Sequence, residues 1–199
     1  MESVQLTDYE YMMCVLFSEE SARSQQKIEF GNHMTNERSN RRVREDTLCG
    51  KLAEVAIAKW LRQNYKLHLP VNYEVYPRGE WDDQDITVNG KTIDIKTTQY
   101  GHHLLLEENK VLFRQKQGKS PDMYIMCKTD MEKRAVGIIG CISFQRLIAP
   151  GNANVKRFRK GELIPDTQTE FKADSYCVEF GGLCSVKTAF DYILGKKAG

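Results

Sequence analysis

The chain has 199 residues, 41% hydrophobic and 28% charged, with a formal net charge of +2. That length suits one domain with a real core, or a domain with a small helical extension, and the near-neutral balance neither demands nor excludes a nucleic-acid partner. No run of 18 apolar residues exists, which excludes a membrane-spanning helix, and none of the six cysteines forms a Cys-x2-Cys pair, which argues against zinc ribbons and iron–sulfur clusters.

Thr7-Asp8-Tyr9-Glu10 has the Ser/Thr-x-x-Glu form of a capping box, so a helix is predicted from there to about Lys27. Residues 31–46 are polar, carry Arg38, Arg41, Arg42 and Arg44, and read as a loop or the exposed start of the next helix. "TLCGKLAEVAIAKWLRQNY", 47–65, is rich in strong helix formers. "NYEVYP", 72–77, alternates and reads as a strand. A hairpin follows around Asn89-Gly90. Residues 101–120 are ambiguous, because "HLLLEE" and "KVLFRQ" suit either strands or helix. "DMYIMCK" and "AVGIIGCI" are apolar runs of strand length, "SFQRLI" suggests a short helix, "YCVEF" a strand and "SVKTAFDYIL" a closing helix. The order of elements implies a single mixed α/β domain over residues 1–199, with residues 1–46 forming an N-terminal helix and basic loop. Several of the cysteines sit in apolar runs, where a reduced thiol behaves as a small hydrophobe, and the N-terminus lacks the pattern of a signal peptide. Both features imply a cytoplasmic protein.

The hairpin carries the chemistry. Asn-Gly suits a two-residue type I′ turn, which would set Val88 against Lys91, Thr87 against Thr92, Ile86 against Ile93 and Asp85 against Asp94. Side chains alternate along a strand, so Ile86, Val88, Ile93 and Ile95 share a core face, whereas Asp85, Thr87, Thr92, Asp94 and Lys96 share the other. Directly opposed carboxylates, with Cβ atoms roughly 4.5–5.5 Å apart, repel. A divalent cation would relieve them, since Mg²⁺ takes hard oxygen ligands. The plainer alternative is a solvated polar face with an Asp–Lys ion pair. Glu54 interrupts "LAEVAIA", a run apolar nearly all round, where a carboxylate needs compensation. Either Lys51 at i−3 pairs with it, or it points into a metal site.

Glu54 in "GKLAE", then Asp85, Asp94 and Lys96 in a hairpin, then the strand-like runs of 121–143 form a pattern that resembles the PD-(D/E)XK nuclease superfamily. The likeness covers roughly residues 47–98. Gln84 stands where the superfamily's proline would be, and Asp82 and Asp83 are rival choices for the first acid. The resemblance implies a restriction-endonuclease-like core with a central mixed sheet flanked by helices. It further implies a Mg²⁺- or Mn²⁺-dependent endonuclease acting on DNA, in which Asp85, Asp94, the Ile95 carbonyl and Glu54 hold metal and Lys96 stabilises developing charge. An RNA endonuclease with His33 as an added ligand, and a protein of this fold that binds without cutting, are the alternatives.

Arg38, Arg41, Arg42 and Arg44, and a second cluster of Lys156, Arg157, Arg159 and Lys160, are the candidate contacts to double-stranded DNA. His102-His103 reads as an exposed loop, and His68 carries little functional signal. A homodimer would suit double-strand cleavage, although no heptad pattern appears.

Overall fold

The computed structural model describes residues 2–25, 40–76 and 85–196. Among the described residues eight strands and five α-helices lie in the order β1 (Glu2–Gln5), α1 (Asp8–Gln25), α2 (Asn40–Tyr65), β2 (Ile86–Val88), β3 (Lys91–Thr98), β4 (His103–Glu107), α3 (Glu108–Lys116), β5 (Met123–Asp130), β6 (Ala135–Ser143), α4 (Phe144–Ile148), β7 (Lys156–Phe158), β8 (Ser175–Glu179) and α5 (Val186–Ile193). A five-stranded sheet has the order β1-β6-β5-β3-β2, and a three-stranded one the order β4-β8-β7. The larger sheet is mixed. β1 runs antiparallel to β6, and β2 antiparallel to β3. β5 runs parallel to β3, because Asp122 N–H donates to the Thr92 carbonyl at one end and the Thr97 and Thr129 hydroxyls meet at 2.7 Å towards the other. An α/β fold with a mixed sheet is therefore present, as the order of elements implies. The chain divides into two compact units: residues 1–85, 97–99 and 127–138, and residues 86–96, 100–126 and 139–199.

In the first unit the capping box forms as expected. The Thr7 hydroxyl accepts from Glu10 N–H at 3.2 Å, and a Glu10 carboxylate oxygen accepts from Thr7 N–H at 2.7 Å. α1 packs on α2 through a small-residue face of Cys14, Ser18 and Ala22. α2 begins earlier than residue 47 and is buried nearly all round between Leu48 and Leu61, as a helix apolar on every side should be. Segment 72–76 is not a strand, contrary to its alternation. Its polar groups are satisfied otherwise: Asn72 Oδ1 accepts from Glu74 N–H, the Asn72 carbonyl accepts from Lys51 Nζ, and the Tyr76 carbonyl accepts from the Ser24 hydroxyl. β1 has no counterpart among the sequence expectations. Its Val4 and the following Leu6 are buried in period two.

In the second unit the Asn89-Gly90 turn takes positive φ at both residues, 49° and 74°. The ladder pairs Ile86 with Ile93, Thr87 with Thr92 and Val88 with Lys91, the register that the turn dictates. The ambiguous stretch resolves into a strand followed by a helix, β4 and α3. The core of this unit joins Leu104 and Leu106 of β4, Val111 of α3, Tyr124 and Met126 of β5, Ile142 of β6, Phe144 and Leu147 of α4, and Tyr176 and Val178 of β8. His103 is buried at the head of β4 instead of lying in an exposed loop. It is the outermost residue of the ladder with β8, opposite Glu179.

Candidate functional site

β3 carries both Asp94 and Lys96, and their placement follows from the turn. Two residues apart on a strand, they project to one side of the sheet. On the opposite side Ile93 and Ile95 are buried with Ile86 and Val88 of the same hairpin. Asp94 is also buried, at 3% exposure, so its face is polar without being solvated. Two cations cover it. Arg114 of α3 donates from Nη1 to Asp94 Oδ1 at 2.7 Å, and the Lys96 ammonium lies directly against Oδ2. That second contact is an ion pair without hydrogen-bond geometry, and Oδ2 accepts no hydrogen bond. Arg114 also hydrogen-bonds the Tyr124 hydroxyl. Burial, and then the nearby Asp94 charge, push the Tyr124 phenol up to about 12, so it stays a neutral hydroxyl at physiological pH.

Arg114 and Tyr124 have no signature in the sequence. Arg114 lies in a stretch with no clear helical or strand period, 20 residues from the carboxylate it meets. Lys96 and Asp94 were legible because a turn of fixed type and a period of two place them.

The other expected site residues are distributed as follows. Glu54 lies on α2 in the first unit and pairs with Lys51, whose Nζ approaches Glu54 Oε2 at 2.5 Å. The same ammonium donates to the Asn72 carbonyl at 2.7 Å and lies 4.4 Å from the centre of the Phe17 ring. The i−3 ion pair is thus formed, and Lys51 is buried at 6% exposure to make it. Asp85 is half-buried in a bend directly before β2. The ladder ends at Ile86–Ile93, so the expected Asp85–Asp94 ladder pair is not formed. Asp82, Asp83, Gln84, His33 and Arg38 lie outside the described residues. Ile95 is buried in β3.

The basic clusters are more compensated than their sequences suggest. Arg41 pairs with Glu45 at 2.8 Å, as i,i+4 neighbours on α2, and Arg44 lies 4.0 Å from Glu19. Arg42 is exposed on the same helix. In the second cluster, Lys156 pairs with Glu179 at 2.8 Å. Arg157 pairs with Glu108 and lies over the Tyr176 ring. Phe158 stacks on Phe171 with centroids 4.9 Å apart, so it anchors the loop instead of facing a ligand. Arg159 and Lys160 are exposed and form no side-chain ion pair among the described residues. They are the strongest remaining candidates for phosphate contact.

A divalent cation would find one suitable donor here: Asp94 Oδ2, a buried carboxylate oxygen that accepts no hydrogen bond. Its cationic neighbour Lys96 is on a flexible stem with 41% of its side chain exposed. Among the described residues no three His, Cys, Asp or Glu side chains converge closely enough to hold a metal ion. The fit is therefore partial, one oxygen of a hard-ligand set. No helix among the described residues is long and apolar enough to cross a membrane. No protein-family model, curated protein or solved structure matches this chain.

Proposed function

We propose that the chain is a metal-dependent endonuclease hydrolysing phosphodiester bonds in DNA, built on a restriction-endonuclease-like core. The observation that supports this most is the Asp94–Lys96 pair on β3, a buried carboxylate whose Oδ2 is held only by an ion pair to a half-exposed ammonium. The Asn-Gly hairpin, and the return through α3 to a strand parallel to β3, are consistent with the resemblance.

In this reading Asp94 offers Oδ2 to Mg²⁺ or Mn²⁺. Asp85, Glu54 and the Ile95 carbonyl are the further ligands that the resemblance implies. An ion held there would supply Lewis acidity towards the scissile phosphate and a water. Arg114 keeps hold of Oδ1 and so fixes the rotation of the carboxylate. Lys96, freed from Asp94, donates its ammonium to the phosphate oxygens as negative charge develops. Arg159 and Lys160 contact the backbone of the substrate, and that contact weakens steeply with salt.

The test is incubation of the purified chain with DNA and with RNA in Mg²⁺, Mn²⁺ or EDTA. DNA cleavage that EDTA abolishes, and that Lys96→Ala lowers by about 10²–10³-fold with DNA binding intact, is the expected result. Full cleavage by Lys96→Ala would overturn the role given to that lysine. Cleavage of RNA alone in Mn²⁺ would replace the substrate assignment.

A second reading has its own observation. Both Asp94 oxygens already face cations, Arg114 and Lys96, which is also how a purely structural ion cluster is built. In that reading the chain binds nucleic acid or a protein partner without cutting, and binding with no cleavage under any condition is its signature.

A further inference from the structure

We propose that Cys184 is an oxidant-sensitive site and that Cys141 is its resolving partner, the two closing a reversible disulfide. The proposal stands apart from the nuclease reading. Cys141 lies in β6, and Cys184 in the segment between the 3₁₀ turn Phe180–Gly182 and α5. They form an isolated antiparallel bridge. Cys141 N–H donates to the Cys184 carbonyl at 2.9 Å, and Cys184 N–H donates to the Cys141 carbonyl at 2.8 Å. Residues that exchange both backbone bonds have Cα atoms about 5.5 Å apart, inside the disulfide range of about 4.4–6.8 Å. Directly opposed residues also project to one side of the ladder. The Cys141 thiol already points across, donating to the Cys184 and Ser185 carbonyls at 3.6 and 3.7 Å.

Gly140 makes this close approach feasible. A Cβ there would lie 2.6 Å from the Leu183 Cβ and 2.9 Å from the Cys184 carbonyl oxygen.

The two sulfurs differ in a way that assigns their roles. Cys184 is exposed, whereas the other five cysteines are buried. The Arg146 guanidinium donates to Cys184 Sγ at 2.8 Å, so the exposed sulfur has a fixed cationic neighbour beside it. Burial pushes the Cys141 thiol up to about 12, so it does not react first. A hydroperoxide is the oxidant class. The Cys184 thiolate attacks one peroxide oxygen, the S–O bond forms, the O–O bond breaks, and the departing hydroxide takes a proton to become water. Cys141 then loses its proton and attacks the sulfenic sulfur. The S–S bond forms, the S–O bond breaks and a second water leaves. Two thiols thus lose two electrons to one peroxide. The product ties β6 to the entry of α5 and closes a loop between residues 43 apart.

The experiment uses the full reduced chain, treated with hydrogen peroxide and alkylated under denaturing conditions. Four of the six cysteines are expected to remain alkylatable. Peptide mapping should show Cys141 joined to Cys184, and dithiothreitol should restore all six thiols. The oxidised form should melt roughly 5–10 °C higher. Cys184→Ser should keep every remaining thiol, and Cys141→Ala should stop at a sulfenic acid that dimedone traps. Arg146→Gln should slow the first step several-fold. The wild-type map requires no variant to fold. A disulfide between other cysteines, unchanged thiol loss in Cys184→Ser, or oxidation of Cys184 to sulfinate with no S–S bond would overturn the proposal.

Discussion

Replacing Arg114 with Met removes one of the two cations on a buried carboxylate while keeping a good helix former in α3. Breaking a fully buried ion pair by deleting one partner costs about 3–5 kcal/mol, because the other charge is left uncompensated. Two features of this cluster lower that figure. Lys96 stays against Oδ2, and the Arg114 side chain is 29% exposed, so part of its attraction is screened by water. About 2–3 kcal/mol remains. In a chain of this size that amounts to a fall in melting temperature of roughly 5–10 °C. The assay is urea and thermal unfolding followed by circular dichroism, on Arg114→Met, Asp94→Leu and the double variant. The double variant should recover much of the single losses, with a coupling of about 1–3 kcal/mol. An Arg114→Met protein within about 0.5 kcal/mol of wild type, or losses that simply add, would refute the claim that Arg114 compensates Asp94.

Burial pushes the Glu10 carboxyl up, but hydrogen bonds from Lys59 and from the Thr7 backbone and hydroxyl outweigh it and hold the group below its ordinary value. The stabilisation it gives is present above the ordinary glutamate range and is lost as pH falls through the folded value. Glu10→Gln, which keeps a capping-box residue type, should therefore lose stability at pH 7 and show a shallower acid limb. Stability that falls equally steeply with acid in both proteins would count against this. Gly140→Ala should cost about 1–3 kcal/mol through overpacking against Leu183 and Cys184. An unchanged denaturation midpoint would mean that the 183–184 segment does not approach β6 so closely.

Features fixed by short-range chemistry were legible in the sequence. The Asn89-Gly90 turn dictates its ladder without outside help, and Thr7 and Glu10 cap α1 with each other's groups. Two residues of the candidate cluster, Asp94 and Lys96, follow from that same turn. Features that depend on distant partners were not legible. Arg114 acquires its meaning only when α3 returns beside β3. Segment 72–76 has a strand's alternation, yet its backbone bonds go to Lys51, Ser24 and its own Asn72 side chain, and no local pattern foretells that. β1 offers only Val4 and Leu6 as a periodic signal, too little to separate a strand from a leading coil. The basic runs were legible as composition but not as free charge, since Glu45 meets Arg41 one turn along α2 and Glu19, Glu108 and Glu179 come from elsewhere in the fold to meet the others.

Among the described residues the larger sheet is bounded by its two shortest strands, β1 with four residues and β2 with three. An open flank of unpaired amides invites a foreign strand to add on, and long flat flanks are the usual seeds of fibrils. Here each margin offers a partner only a few rungs. Brevity in these two strands thus limits how much backbone each of them can lend to a foreign chain.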